Sequence, residues 1–174
     1  LVPTFENPES MVRQHAFSEH NWHDYEAHGR AVRSEGYLYI RNHRPANAWQ
    51  GPADSVASAS HQSLLAAHKA GKLTAAQQDV FLAPRPAEEL YLTASDPLQL
   101  DNLAEKGDHS GVKKRLAALL DQWMEETGDA IPEDLSPDGY DRETGRSFIK
   151  GPPARGTWPG KPRKAHLNNA PGPR

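Results

Sequence analysis

The strongest hydrophobic pattern along the chain is helical and covers residues 110–127. Its less polar side chains recur at spacings of three and four, which place them on one helix face, while charged side chains lie largely on the other. Gly128 follows directly and suits the left-handed conformation that commonly ends a helix. The positions of this face are Val112, Leu116, Leu119, Leu120, Trp123 and Thr127. Such a face must be buried, and the strands predicted nearby are its nearest partner.

Three shorter segments have the pattern of β-strands. Residues 30–42 predict a hairpin in which Gly36 allows a tight turn between two strand segments. Residues 89–93 predict another strand, and residues 15–19 predict a short one. The stretch 20–28 has no clean period and is interpreted as a loop.

Two further helices are predicted between the hairpin and the strand at 89–93. The first covers about 57–70 and ends at Gly71. The second is shorter and opens with a capping box, in which Thr74 and Gln77 satisfy each other's backbone N–H groups. Residues 43–56 contain prolines and glycine and are interpreted as a surface loop.

Composition divides the chain into a folded part and a tail. The 174 residues suit one domain, but 36% hydrophobic residues and 15 prolines predict a compact core in only part of it. Residues 129–174 are basic and rich in proline and glycine, so we expect an irregular or disordered tail after a domain at 1–128. The first residues, Leu1 to Pro3, read like the middle of something longer, and no signal peptide is visible.

Several classes of protein and site are disfavoured. The absence of cysteine excludes a disulfide framework and a thiolate metal site. No apolar run approaches the length that spans a bilayer, so no membrane partner is expected. The basic residues of the tail are too few and too dispersed to predict nucleic-acid binding. The sequence also has no glycine-rich phosphate loop, no Gly-x-Ser-x-Gly and no His-Glu-x-x-His motif.

Residues 19–28 are the most unusual stretch, with three histidines, three acids, a tryptophan and a tyrosine. Three interpretations compete. A metal site could use the imidazoles and a carboxylate, but the spacing matches no standard motif. The second is a polar surface loop without a binding role, although exposing the large apolar side chain of Trp22 to water is unfavourable. The third, which composition favours, is a recognition loop for a charged, hydroxylated ligand. Imidazole and amide groups donate hydrogen bonds to sulfate and hydroxyl oxygens, and aromatic rings present flat apolar faces to sugar rings.

The recognition interpretation assigns substrate binding to this stretch and no catalytic or metal-binding residue. Trp22 is expected to turn away from the ligand and anchor the loop in the core. The substrate-binding candidates are His20, Asn21, His23, Asp24 and His28.

Three stretches, in this order, resemble the C-terminal part of type I sulfatases. Residues 15–28 (HAFSEHNWHDYEAH) resemble the FAEHNWHDYEAH loop of bacterial sulfatases of the heparan N-sulfatase type. Residues 30–42 (RAVRSEGYLYIRN) resemble the family hairpin RAVRTxxYKYIRN, and residues 88–104 (EELYLTASDPLQLDNLA) resemble ELYDLxxDPxExxNLA. Leu92 departs from this pattern, because the family usually has an acidic residue after the tyrosine. The resemblance covers residues 1–128.

The resemblance implies an α+β fold, in which a small antiparallel sheet of about four strands packs against a long C-terminal helix, as in the small subdomain of the alkaline-phosphatase-like sulfatases. It places calcium and a formylglycine nucleophile in an N-terminal catalytic domain, which is the expected protein partner. The nucleophile motif C/S-x-P-x-R is missing from the sequence. The most similar stretch, residues 151–155 (GPPAR), has glycine at the position of the nucleophile. No cofactor is therefore expected in this segment.

The functional expectation follows from the same resemblance. The chain is expected to be part of a sulfatase that hydrolyses sulfate esters or N-sulfate groups of sulfated glycans, to supply substrate contacts, and to be inactive alone. A periplasmic or secreted location is implied. The alternative is a free-standing carbohydrate-binding or interaction module that reuses the same fold.

Overall fold

A four-stranded antiparallel sheet forms the centre of the computed structural model, which describes residues 2–49, 51–131, 137–148 and 173. The strand order is β1-β2-β3-β4, so each strand pairs with its neighbours in the sequence. The strands are β1 (Ala16–Trp22), β2 (Glu26–Ser34), β3 (Tyr37–Asn42) and β4 (Glu88–Leu92). The helices are α1 (Val2–Glu6), α2 (Ala53–Val56), α3 (Ala59–Lys69), α4 (Ala75–Gln78) and α5 (Ser110–Thr127), with 3₁₀ turns at Asp79–Phe81 and Gly107–His109.

Helix α5 packs on one face of the sheet and forms the main core with it. Leu116 and Leu120 on the helix meet Val32 of β2, Tyr39 of β3 and Leu90 of β4, and all five side chains are fully buried. At the edge, Phe17 of β1 stacks on Trp123 of α5 with ring centroids 5.3 Å apart. The predicted α+β class, the four-stranded antiparallel sheet and the long helix packed on it are confirmed.

The β2–β3 hairpin forms where the sequence predicted it. Its two turn residues, Glu35 and Gly36, have φ angles of 52° and 76°. Two consecutive positive φ angles match the twist of the flanking strands. Gly128 also behaves as predicted, since it ends α5 with a φ of 67°.

The interpretation of residues 20–28 as a loop was wrong. Strand β1 continues to Trp22 and β2 begins at Glu26, so only residues 23–25 form the turn of a second hairpin. The pairing register shifts between His20 and Trp22, which disturbs the alternation that the sequence pattern relies on. Because β1 is an edge strand with mostly exposed side chains, it also tolerates polar residues at most positions.

Helices α3 and α4 agree with their predicted start and stop signals, whereas α2 lies in the stretch 43–56 that was interpreted as a surface loop. The helix predicted at 57–70 is α3, and the side chain of its N-cap, Ser58, accepts a hydrogen bond from the His61 N–H. The capping box of Thr74 and Gln77 is present at the start of α4. None of the helices among the described residues is long and apolar enough to cross a membrane.

The residues after α5 that the structure describes return to the sheet. Asp129 forms a two-pronged ion pair with the fully buried Arg30 of β2. Residues 137–148 are irregular apart from a single bridge between Tyr140 and Ser147, and they lie against the β1–β2 turn. Most of the tail predicted at 129–174 lies outside the described residues.

Candidate functional site

A pocket of about 250 Å³ lies beside the β1–β2 turn. One wall is this turn, the second is the segment that follows β3, and the third is Arg142 from the segment after α5. The lining includes His20, His23, Asn42, Arg44, Trp49 and Arg142. The site thus draws on three segments that are far apart in the sequence.

The structure brings three of the five predicted substrate-binding residues together at this pocket. His20, His23 and Asp24 line it, whereas Asn21 and His28 do not. Asn21 follows His20 on the strand, and its Oδ1 atom is buried without a hydrogen-bond partner among the described residues.

His28 is buried in the β2 strand and lies outside the pocket lining. It is 1% exposed and has a φ of 56°, which is uncommon for a residue other than glycine. Burial lowers the pKa of its imidazole, and the neighbouring Arg44 and Arg30 lower it further. Its Nδ1 atom has no partner in the described part of the chain. The side chain is thus enclosed, unlike an open ligand-binding imidazole.

Asp24 holds the pocket wall together. Its Oδ2 atom accepts a 2.7 Å hydrogen bond from the Ala53 N–H at the start of α2 and lies 3.2 Å from Nδ1 of His23. Its backbone carbonyl accepts a hydrogen bond from the Gly139 N–H. The contacts with Ala53 and Gly139 join the β1–β2 turn to two other segments.

His20 and His23 present their imidazoles to the pocket. The His23 side chain is 74% exposed. His20 is also open to solvent, yet partial desolvation lowers the pKa of its imidazole, and the nearby His23 and Arg30 act in the same direction. A neutral imidazole offers one hydrogen-bond donor and one acceptor, which suits hydroxyl groups.

The expectation that Trp22 anchors the turn in the core was wrong. The residue is 38% exposed, and its indole N–H donates a 3.0 Å hydrogen bond to the carbonyl of Pro137. An indole can satisfy its polar N–H in this way while covering a neighbouring segment. Trp22 therefore helps to hold residues 137–148 beside the pocket.

Sequence reasoning missed the two pocket arginines. Arg44 pairs with Glu26 at 2.5 Å. Arg142 pairs with Asp138 at 2.6 Å, donates to the Glu26 carbonyl and lies over the ring of Tyr25. Neither arginine stands in a recognisable motif, and both are in segments rich in glycine and proline. Only the fold shows that they converge on the histidine-rich turn.

The charges around the pocket largely balance. Two guanidinium groups, on Arg44 and Arg142, face two carboxylates, on Asp24 and Glu26, among the lining residues. Within the described ranges no three His, Asp or Glu side chains are grouped closely enough to hold a metal ion. The arrangement can bind a polar, hydroxylated ligand through imidazole, amide and indole groups.

Comparison with known proteins gives one informative match. The chain is 37% identical over 101 residues, or 58% of its length, to an ulvan-active sulfatase from Formosa agariphila, and the match spans 17% of that sulfatase. No protein-family model matches the sequence. The chain is thus similar to a limited region of a sulfatase.

Two solved structures were also found at a weaker level. A candidate sulfatase from Bacteroides thetaiotaomicron VPI-5482 covers 86% of this chain, and the match spans 25% of that protein. A 2-O GAG sulfatase covers 88% of this chain, over 26% of its own length. Both have 18% sequence identity and a TM-score of 0.44. At this level of similarity neither structure bears on the function.

Proposed function

We propose that this chain is the C-terminal portion of a sulfatase that hydrolyses sulfate groups on a sulfated polysaccharide. The observation that carries the proposal is the 37% identity to the ulvan-active sulfatase over 101 residues. In this proposal the nucleophile and the calcium belong to an N-terminal catalytic domain. The chain itself supplies one wall of the substrate site.

The pocket chemistry supports a role in substrate binding. Its imidazole and indole groups lie on a rigid hairpin and on segments that are fixed by hydrogen bonds such as the one from Ala53 to Asp24. Concave sites with a few convergent polar groups are the usual place for ligand binding. A polysaccharide offers such a site many hydroxyl groups and apolar ring faces.

The first prediction concerns which polypeptide hydrolyses sulfate groups. The 174-residue chain alone should release no sulfate from ulvan or heparin oligosaccharides, because its sequence lacks the C/S-x-P-x-R nucleophile motif. A polypeptide that joins the catalytic domain to this chain should release it. Free sulfate is measured by ion chromatography against a heat-inactivated control. Sulfate release by the chain alone, or none by the joined polypeptide on either substrate, contradicts the proposal.

The second prediction concerns His23. In the joined polypeptide, His23→Ala should lower kcat/KM on the polysaccharide by more than about tenfold, equivalent to about 1.4 kcal/mol of transition-state binding. Its side chain is 74% exposed, so the melting temperature should hardly change. A small aryl sulfate makes no sugar contact, and its turnover should fall much less.

His68→Ala provides the matched control, because His68 is also exposed and does not line the pocket. It should leave both substrates unaffected. Equal losses on both substrates for His23→Ala would place that residue at the sulfate group instead. No loss on either would remove the β1–β2 turn from the substrate site.

A further inference from the structure

Trp49 is an aromatic side chain that the substrate-binding hypothesis did not include. It lies after β3, is 39% exposed and lines the pocket. The guanidinium of Arg85 stacks on the indole, with Cζ 4.6 Å from the ring centroid. This cation–π contact covers one part of the ring while leaving the exposed part free.

Arg85 is itself held rigidly in a buried network. Its Nε and Nη2 atoms donate to the two carboxylate oxygens of Glu89 at 3.0 and 3.1 Å. Nη1 and Nη2 also donate to the carbonyl and the carboxylate of Asp79 at 3.0 and 3.2 Å. These hydrogen bonds fix the guanidinium plane. The flat face, which donates no hydrogen bond because the N–H groups lie in the plane, remains for stacking with the indole.

The same arginine also ties down the backbone of the Trp49 segment. The Arg85 N–H donates a 2.7 Å hydrogen bond to the carbonyl of Pro45. Arg85 therefore contacts the segment after β3 through both its backbone and its side chain. The consequence is an indole whose orientation is set before any ligand arrives, which reduces the entropy lost on binding.

Asn42 lies in the wall of the same pocket and is held by the same buried network. Its Nδ2 atom donates to the Pro86 carbonyl at 2.7 Å and to Oε1 of Glu89 at 2.6 Å, so the amide orientation is determined. Its Oδ1 atom is buried and has no partner among the described residues. The residue is 7% exposed and lines the pocket.

The two pocket arginines are poorly available for binding an anion, because both are paired with carboxylates. Arg44 is engaged by Glu26, and Arg142 is engaged by Asp138 through two hydrogen bonds. A charged sulfate group would compete with these carboxylates. A hydroxylated ring with an apolar face fits the exposed indole surface without such competition.

We propose that Trp49 is the stacking platform for one pyranose ring of the polysaccharide, positioned by Arg85. This inference deepens the proposed function and rests on it. It assigns the pocket to the neutral part of the sugar, whereas sulfate recognition belongs to the catalytic domain.

The experiment measures binding of ulvan oligosaccharides and their chemically desulfated forms to the 174-residue chain by isothermal titration calorimetry. Trp49→Ala should weaken binding of both forms by the same factor, about tenfold, since one aromatic stacking contact is lost. Trp49→Phe keeps an aromatic face and should stay within about threefold of the wild type. Phe5→Ala is the control, because Phe5 is an exposed aromatic residue that does not line the pocket.

A second readout uses the indole N–H signals of ¹⁵N-tryptophan-labelled chain. The Trp49 signal should show the order of a rigid group without ligand and should shift on addition of either oligosaccharide, whereas the Trp22 signal should stay. Its assignment comes from the Trp49→Phe spectrum. A highly mobile Trp49 indole in the free chain would overturn the positioning role of Arg85.

The outcomes separate this inference from the proposed function. Oligosaccharide binding that Trp49→Ala leaves unchanged overturns the stacking platform, while the sulfatase assignment stands on the release of sulfate. A loss confined to the sulfated form would assign the pocket to sulfate and also overturn the inference. If the wild-type chain binds neither form, the platform is wrong whatever the joined polypeptide hydrolyses.

Discussion

Glu89→Ala should destabilise the chain by about 3–5 kcal/mol, because it removes one partner of a buried ion pair and leaves the other uncompensated. The Glu89 side chain is 1% exposed and that of Arg85 is 3% exposed. Glu89 also accepts hydrogen bonds from Asn42 and Tyr91. All three donors would lose an acceptor at once. Urea unfolding followed by circular dichroism at pH 7 measures the change.

Asp121→Ala is the control for this prediction. Asp121 also pairs with an arginine, Arg41, but its side chain is 61% exposed. An exposed pair contributes about 0–1 kcal/mol, so this variant should stay close to the wild type. A Glu89→Ala variant within about 1 kcal/mol of the wild type would show that the network is hydrated in solution.

The same network should be visible in the acid dependence of stability. Burial acts to raise the pKa of Glu89, but the hydrogen bonds from Arg85 and Tyr91 and the positive charge of Arg85 outweigh it, and the pKa lies below its usual 4.5. The carboxylate therefore stabilises the fold fully above about pH 4.5 and progressively less as the pH falls through its folded-state pKa. Glu89→Ala should lose this part of the pH dependence.

The sequence predicted the parts of the fold that depend on local periodicity. Helix α5 has a continuous apolar face, and the β2–β3 turn has a glycine at a position with positive φ. Both signals involve residues that are neighbours in the chain. They are therefore readable without knowledge of the tertiary structure.

The buried network could not be predicted in the same way. Arg85 and Glu89 are charged, and charged side chains are almost never fully buried unless they are paired. Their pairing depends on Asp79 before the strand and on Asn42 of the adjacent strand, which is brought close by the sheet register. The pattern of hydropathy along the chain does not reveal which residues of two strands pair.

The candidate site was predicted in part for a related reason. His20, His23 and Asp24 stand together in an unusual stretch of sequence and also lie together at the pocket. Trp49 and Arg142 reach the same pocket from segments that composition marks only as irregular. Tertiary contacts, such as the hydrogen bond from Trp22 to Pro137, bring these segments together.

Leu120→Ala should destabilise the chain by about 2–5 kcal/mol, because it removes buried methyl groups and leaves a cavity between α5 and the sheet. Leu120 has no exposed surface and belongs to the same core cluster as Val32, Tyr39 and Leu90. The cost falls toward the lower end of this range if α5 can shift toward the strands. Thermal and urea unfolding of the 174-residue chain both report it.

Leu98→Ala serves as the control, since Leu98 is 67% exposed and should change the stability by no more than about 0.5 kcal/mol. Leu119→Ala should fall between the two, because Leu119 packs against the core cluster but is only partly buried. The order Leu120, Leu119, Leu98 is therefore a test of which face of α5 meets the sheet. Equal, small effects at Leu120 and Leu98 would mean that α5 does not pack on the sheet in solution.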